Sequence, residues 1–195
     1  MEDFKVKQIF PNHIYGEDYL GLDENYLTQL KSSIELVRRG NIDGKSYSNS
    51  EFGWQSNDLP QSGPFEKLTQ KITKKAFEFC KKIDGFDFNK VSMGSLWANI
   101  NYKGDINWPH KHDGDIAGVY YLETPQDCGS LVLCYYNYNA NAKLTKFLDR
   151  NKSELNIIPK KDKIVLFDSS CIHRVTKNNS EKIRMSFSFN LIIGD

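Results

Sequence analysis

The chain has 195 residues, with 26 basic and 25 acidic side chains and a formal net charge of +1. This length suits one domain built around a single core. The balanced charge leaves no strong positive field for nucleic acid or an anionic membrane, and basic residues cluster only in pairs such as Lys74 and Lys75. We therefore expect neither nucleic acid nor a membrane as partner.

No targeting or membrane signal is visible in the sequence. The first residues lack the charged and then apolar pattern of a signal peptide, and no apolar stretch approaches the roughly 20 residues that span a bilayer. The four cysteines are irregularly spaced without a C-x-x-C pair, so we predict reduced thiols rather than a zinc site or disulfides. These features indicate a cytoplasmic protein, and they say nothing about oligomeric state.

The first half of the chain has the apolar spacing of helices. Apolar residues recur at near-helical spacing over 22–38, and the segment ends in two arginines and a glycine. A second helix is predicted over about 64–84. Residues 41–63 between them are rich in Asn, Ser, Gly and Asp and are predicted to form a loop. Residues 5–15 form a short apolar segment broken by Pro11.

From about residue 90 the apolar period changes from 3.6 to two, which predicts strands. The strand candidates are residues 96–100, 117–122, 130–134, 155–158, 163–167 and 183–193. Helices followed by many short strands predict a mainly β (α+β) single domain over 1–195, with a helical part over about 1–88 and a jelly-roll core over about 89–195. The polar segment over 135–150 has the length of a lid or binding loop.

Three of the four histidines fall in the β-rich half. His110 and His112 are one residue apart, so on an extended strand their side chains share one face about 7 Å apart. His173 follows a later strand candidate, where a sandwich fold can bring it back to the first pair. Two local ligands and one distant ligand predict a mononuclear metal site with open positions.

Arg184 and Ser186 stand at alternate positions of the last strand candidate and therefore face the same side. A guanidinium beside a hydroxyl suits a carboxylate, which arginine binds in a bidentate way that lysine does not reproduce. Only five of the 26 basic side chains are arginines, so one inside an apolar strand calls for an explanation.

These residues carry a resemblance to a known family. The sequence resembles the Fe(II)/2-oxoglutarate-dependent oxygenases, and more narrowly their uncharacterised bacterial and phage branch. A looser likeness to prolyl hydroxylases starts at Tyr102 and runs as Y-x-x-G-x-x-x-P-H to His110. The matching segments span about residues 50–190 and are FGWQS (52–56), WANIN (97–101), PHKH (109–112), AGVYYL (117–122), FDSSCIHRVTKN (167–178) and RMSFSFN (184–190).

The resemblance implies a double-stranded β-helix, or jelly roll, with N-terminal helices packed on one sheet. It also implies Fe(II) and 2-oxoglutarate as cofactors, and O2 with a small molecule or peptide as substrates. Arg184, Ser186 and Tyr102 would bind 2-oxoglutarate. The implied reaction hydroxylates an amino-acid or peptidyl side chain, with prolyl as one option, and releases succinate and CO2.

The sequence departs from the family at one metal ligand. Most members use two histidines and one carboxylate, whereas His112 stands at the carboxylate position. The pattern favours His110, His112 and His173 as ligands. Asp113 or Asp115 remains an alternative, because a turn around Gly114 can reorient a carboxylate that a regular strand would point away.

The sequence also offers candidate residues for the substrate pocket and two alternative functions. Candidate substrate-pocket residues are Trp108, Tyr120, Asn99 and Asn101. One alternative function is a three-histidine, cupin-like dioxygenase that does not use 2-oxoglutarate. Another is a non-catalytic jelly-roll binding module.

Overall fold

The computed structural model describes residues 5–9, 13–45, 50–135 and 154–194. Of the predicted lid over 135–150, every residue after Tyr135 lies outside these ranges. The helices are α1 (Glu24–Gly40) and α2 (Glu66–Cys80), the latter preceded by a 3-10 turn (Gly63–Phe65). The strands are β1 (Lys5–Ile9), β2 (His13–Tyr19), β3 (Trp54–Gln55), β4 (Lys90–Asn101), β5 (Asn107–His110), β6 (Ile116–Glu123), β7 (Leu131–Cys134), β8 (Glu154–Ile157), β9 (Lys163–Asp168), β10 (Ile172–Val175) and β11 (Arg184–Gly194).

Both predicted helices are present, and their ends follow local chemistry. The carboxylate of Asp23 caps α1 by accepting a hydrogen bond from the Tyr26 N–H at 2.9 Å. Two arginines in its last turn complement the helix dipole. Helix α2 starts after Pro64 and ends at Cys80, four residues before the predicted end. The apolar sides of both helices are buried in one core.

The strands form two antiparallel sheets. One has seven strands in the order β1-β2-β9-β6-β11-β4-β3, and the other has four in the order β5-β10-β7-β8. The two helices cover the seven-stranded sheet, as predicted, and bury its outer face in the larger core. This arrangement confirms the jelly-roll fold.

The N-terminal part contains strands that the sequence did not predict. Residues 5–9 and 13–19 form β1 and β2, which extend the large sheet beyond β9, and β3 lies in the predicted loop. Pro11 interrupts the first segment, so its strand character depends on pairing with a distant strand. Tyr15, for example, pairs with Phe167.

A second core lies between the two sheets. Strand β6 takes part in both cores: Val119 and Tyr121 face the four-stranded sheet, whereas Tyr120 and Leu122 face the helices. The space between the sheets narrows into a cavity beside β5 and β10, where the predicted metal ligands lie.

The structure also bears on the cysteines and on membrane-spanning segments. The four cysteines, all within the described ranges, are free and buried. Within those ranges, no helix has the length and apolar character needed to cross a membrane.

Candidate metal centre

The three predicted histidines converge at one end of the four-stranded sheet. His110 on β5 and His173 on β10 are direct partners in the antiparallel register, and His112 follows in the next turn. One potential ligand nitrogen from each ring lies within 4.8 Å of the others. The Nε2 atoms of His112 and His173 are 3.2 Å apart. The three rings therefore form one cluster that can hold a metal ion.

Backbone carbonyls fix the tautomer of two of the rings. The Nδ1 atom of His110 lies 2.6 Å from the Trp108 carbonyl oxygen, and the Nδ1 atom of His173 lies 3.0 Å from that of Cys171. A carbonyl oxygen only accepts hydrogen bonds, so each Nδ1 carries the proton and donates. Each Nε2 then keeps its lone pair, as histidine ligands with such outer partners do.

Backbone hydrogen bonds to the loop after β9 hold His112 in place. Its backbone N–H donates to the Ser169 carbonyl at 3.1 Å, and the Ser169 N–H donates to the Asp115 carbonyl at 3.1 Å. The Ser169 hydroxyl also donates to the Gly114 carbonyl. The His112 ring packs against Trp97, with ring centres 5.4 Å apart.

All three rings are neutral at physiological pH. Burial, chiefly, lowers the pKa of His110, His112 and His173 below the ordinary histidine value, and the neighbouring rings lower those of His112 and His173 further. Two nitrogens each about 2.1 Å from one ion and about 100° apart are separated by about 3.2 Å, which is the spacing of His112 and His173. Neutral imidazoles at this spacing fit a divalent first-row metal ion.

The alternative carboxylates lie outside the cluster. The Asp115 carboxylate accepts a hydrogen bond from the Ile193 N–H at 2.8 Å, which ties it to β11. The Asp113 side chain is exposed. Neither belongs to the group of residues whose ligand atoms converge.

A cavity between the two sheets opens beside the histidines. It offers about 70 Å³ to the centres of water-sized molecules, which is room for several waters or a small ligand. Its polar wall includes four amide side chains and one cation, and no acidic residue lines it in the described ranges. The lining residues are Gln55, Trp97, Asn99, Asn101, Asn107, His110, His112, Gly118, Val119, Tyr121, Leu131, Phe167, His173, Val175, Arg184, Ser186 and Ser188.

Arg184 is the cation in that wall. Its side chain is 3% exposed, and one terminal nitrogen donates to the Cys128 carbonyl at 3.1 Å. Nothing in the described ranges accepts a hydrogen bond from its Nε, and no carboxylate there forms an ion pair with it. Burial lowers the pKa of the guanidinium from its very high ordinary value, but the group stays charged. The charge of the buried Asp105 acts on the guanidinium without bonding to it, and a buried cation with no directly bonded anion is unfavourable, so this wall is suited to an anionic ligand.

Two hydroxyls accompany Arg184. Ser186 lies on the same face of β11 as Arg184. Tyr121 of β6 is the residue that pairs with Ser186 in the antiparallel register. Both line the cavity. Burial raises the pKa of the Tyr121 phenol, which therefore remains a hydrogen-bond donor at neutral pH.

The other aromatic candidates lie elsewhere. Tyr102 packs against the helix-side core with the Arg38 guanidinium 5.6 Å from its ring centre, and it does not line the cavity. Tyr120 is fully buried on the helix side, where its hydroxyl donates to Asp162 at 2.9 Å. Trp108 is 56% exposed, and only its carbonyl contacts the site. The structure thus brings Tyr121, not these three, to the cavity.

Both predicted asparagines line the cavity on β4. Asn99 donates to the Ser188 hydroxyl at 3.0 Å, and Asn101 donates to the buried Asp105 carboxylate at 2.5 Å. Sequence reasoning missed Gln55, Asn107 and Ser188. Ser188 continues the alternation of Arg184 and Ser186, whereas nothing local distinguished the two amides.

A jelly roll with three converging imidazoles and a buried, unpaired arginine has the arrangement of a mononuclear metal-dependent oxygenase. Residues 95–190 match the family described as "Putative 2OG-Fe(II) oxygenase". This half of the chain is thus similar to the Fe(II)- and 2-oxoglutarate-dependent oxygenases, whose cofactors are Fe(II) and 2-oxoglutarate. A search of curated proteins found no match to this sequence.

Solved structures of this superfamily share the fold. A Pseudomonas putida prolyl-4-hydroxylase has a TM-score of 0.58 and 14% identity over 90% of this chain and 91% of that one. The viral collagen prolyl hydroxylase of Paramecium bursaria Chlorella virus-1 has a TM-score of 0.60 and 15% identity over 93% and 96%. Streptomyces hygroscopicus HygX, solved with nickel and 2-oxoglutarate, has a TM-score of 0.61 and 10% identity over 91% and 81%.

Proposed function

We propose that this protein is a 2-oxoglutarate-dependent dioxygenase that hydroxylates an amino-acid or peptidyl side chain. The observation that carries this proposal is the buried Arg184, which lacks an anionic partner in the described ranges and faces the cavity that the three histidines share. A metal site alone fits many reactions. A metal site joined to a buried cation by a small cavity fits a bound keto-dicarboxylate.

His110, His112 and His173 would hold the iron. Their unprotonated nitrogens need no proton loss at neutral pH, and the carbonyls behind His110 and His173 keep those two rings from rotating. Three protein ligands leave open positions for cosubstrate and O2. The set carries no negative charge, so an anionic cosubstrate supplies the charge that a carboxylate ligand supplies in most members of the superfamily.

Arg184, Ser186 and Tyr121 would bind the distal carboxylate of 2-oxoglutarate. The guanidinium pairs with the carboxylate, and both hydroxyls can donate to it. Pairing would also relieve the unfavourable burial of an isolated cation. We thus propose Tyr121 for the part that the family resemblance implied for Tyr102.

When bound, Fe(II) and 2-oxoglutarate would supply an oxidative decarboxylation driven by O2, in which one oxygen atom enters succinate as CO2 leaves and the other hydroxylates a C–H bond of the substrate. The chain's own residues orient the cosubstrate and exclude water. The apolar wall that excludes water consists of Trp97, Phe167 and Leu131. The amino-acid or peptidyl substrate class is supported by the fold shared with two prolyl hydroxylases.

Anaerobic addition of Fe(II) and 2-oxoglutarate tests the proposal. The wild-type protein should develop a weak visible charge-transfer band, and Arg184→Gln should abolish it or raise the half-saturating 2-oxoglutarate concentration at least tenfold. Arg174→Gln is the matched control, because Arg174 follows His173 directly but pairs outward with Glu154 at 2.9 Å. Circular dichroism and iron content of each variant separate loss of binding from loss of fold.

Three results would contradict the proposed function. A folded, iron-loaded wild-type protein without the band would overturn the use of 2-oxoglutarate. Oxygen uptake by the iron-loaded protein in air, with a thiol and without 2-oxoglutarate, would then favour the three-histidine dioxygenase. A protein that takes up no iron, manganese or zinc would favour the binding module.

A further inference from the structure

The cavity has little room beyond the cosubstrate. The cavity offers only about 70 Å³ to the centres of water-sized molecules, so a five-carbon dicarboxylate held between the metal and Arg184 would occupy much of it. On the proposed function, the primary substrate must therefore bind at the mouth and direct only its reacting carbon inward. Groups at the mouth decide what that substrate is.

Lys45 is exposed and lies against Trp97, which lines the cavity, so we place its side chain at the mouth. Its Nζ lies 5.9 Å from the ring centre of Trp97, and Trp97 packs in turn against His112. The ammonium is thus one aromatic ring away from the histidine cluster.

The backbone beneath Lys45 is fixed. Its N–H donates to the Gln55 carbonyl at 2.8 Å, and Gln55 lines the cavity. Gly44 has a φ of +72°, and a Cβ there would lie 2.6 Å from the same Gln55 carbonyl oxygen. Only glycine allows the backbone at residue 44 to come this close to Gln55. This close contact fixes the position of the Lys45 backbone.

Lys45 has no acidic partner within the described ranges. No carboxylate there forms an ion pair with it, although many of the other lysines pair with an acid, as Lys161 does with Glu24 at 2.7 Å. The cavity lining in those ranges also contains no acid. Arg184 is thus the cation inside the cavity, and Lys45 is an exposed cation beside its Trp97 wall, whereas Lys111 and Asp113 are exposed on either side of His112.

We propose that Lys45 binds a carboxylate of the primary substrate and so determines substrate specificity. The inference rests on the proposed function, because it takes Arg184 to be occupied by 2-oxoglutarate. The carboxylate can be the α-carboxylate of a free amino acid or chain end, or an acidic side chain within a peptide. A cationic substrate is disfavoured, since the described lining offers it no acid.

The test uses the full chain with Fe(II) and 2-oxoglutarate, without oxygen. The probes are N-acetylated amino acids with a free α-carboxylate, the same compounds as primary amides, and pentapeptides with amidated ends that contain glutamate or glutamine. Dissociation constants are measured from the change that each probe makes in the charge-transfer band. The free acids report on an α-carboxylate, and the glutamate peptides report on a side chain.

We expect at least one carboxylate series to bind about tenfold or more tightly than its amide series. Lys45→Met should remove this difference while keeping the aliphatic stem over Trp97. Lys111→Met, which removes another exposed cation beside the histidines, should preserve it. With oxygen, Lys45→Met should raise KM for the preferred series and leave kcat and substrate-independent succinate formation unchanged.

Three results would overturn the inference: carboxylates that bind no better than amides, a preference that persists in Lys45→Met, or no binding by any probe. Each can occur while the Fe(II) and 2-oxoglutarate band forms normally, which leaves the proposed function intact. Failure of the band itself instead rejects the proposed function.

Discussion

The Nε2 atoms of His112 and His173 lie 3.2 Å apart, although the residues are separated by 61 positions in the chain. Because the Nδ1 of His173 donates to a carbonyl, its Nε2 faces His112 with a lone pair. A second lone pair at this distance is unfavourable unless a proton or a cation lies between the two nitrogens. A metal ion shared with His110 satisfies both rings at once.

Removing either of these histidines should abolish metal binding. With free Fe(II), or Co(II) as an oxygen-stable substitute, at 100 times Kd, binding should stabilise the wild-type protein by about 2.7 kcal/mol. His112→Ala and His173→Ala should lose most of this gain. His13→Ala should keep it, since His13 pairs with Asp168 and lies outside the cluster. Thermal unfolding with and without metal measures the difference, and an equal gain in His112→Ala would contradict the ligand assignment.

The identity of the third ligand has its own test. His112→Asp should retain more metal affinity than His112→Ala, because a carboxylate oxygen also binds Fe(II). Asp113→Asn and Asp115→Asn should bind metal as the wild-type protein does. Metal content after dialysis measures all four variants. Loss of metal in either asparagine variant would instead identify that aspartate as a ligand.

The sequence predicted the site residues where a local period controls which way a side chain faces. Arg184 and Ser186 alternate on one strand, and that period places both in the cavity. The family resemblance implied Tyr102, whereas the position of Tyr121 in the cavity depends on tertiary structure. Strand β6 is buried on both faces, so hydrophobicity cannot show which of its side chains face the cavity, and only its pairing with β11 does.

The N-terminal strands were missed for a related reason. Tyr15 and Phe167 pair across more than 150 positions, and the segment before Tyr15 is interrupted by Pro11. Local propensity is a weak guide where strand formation depends on such a distant partner. The helices, whose apolar period is local, were predicted to within a few residues.

Tyr121→Phe should weaken 2-oxoglutarate binding without unfolding the protein. A hydrogen bond to a charged group contributes about 1.5–3 kcal/mol, so its loss should raise the dissociation constant about tenfold or more. Tyr102→Phe should have no such effect, because Tyr102 packs on the helix side. Anaerobic titration followed at the charge-transfer band compares them. The reverse pattern would restore the sequence-based assignment.

Asp105 supports the floor of the site. Its buried carboxylate accepts hydrogen bonds from the Ser50 hydroxyl at 2.8 Å, from the backbone N–H groups of residues 51–52 and from the Asn101 amide. Asp105→Ala leaves these donors unsatisfied, at about 1–3 kcal/mol each, so we expect at least about 3 kcal/mol of destabilisation in urea unfolding. Asp43→Ala, in an exposed turn, should stay within about 0.5 kcal/mol of wild type. A similar small change for Asp105→Ala would show that the loop does not depend on this carboxylate.

Gly118 gives β6 its close approach to β11. It pairs with Phe189, and a Cβ at Gly118 would lie 2.4 Å from a ring carbon of Phe189 and 2.7 Å from the Val165 carbonyl oxygen. Gly118→Ala should therefore destabilise the protein by about 1–3 kcal/mol, as overpacked cores do. Gly194→Ala, whose Cβ would meet nothing within 4 Å, should be close to neutral.

Gly118→Ala should also weaken the binding of 2-oxoglutarate. Gly118 lines the cavity, and Tyr121 is three residues further along the same strand. If alanine forces β6 outward, the Tyr121 hydroxyl moves away from Arg184, and 2-oxoglutarate should bind more weakly in the folded variant. Urea unfolding and anaerobic titration of Gly118→Ala measure the two effects separately. Wild-type stability and affinity in this variant would mean that Phe189 yields to the added methyl group and that the strand spacing is not set by Gly118.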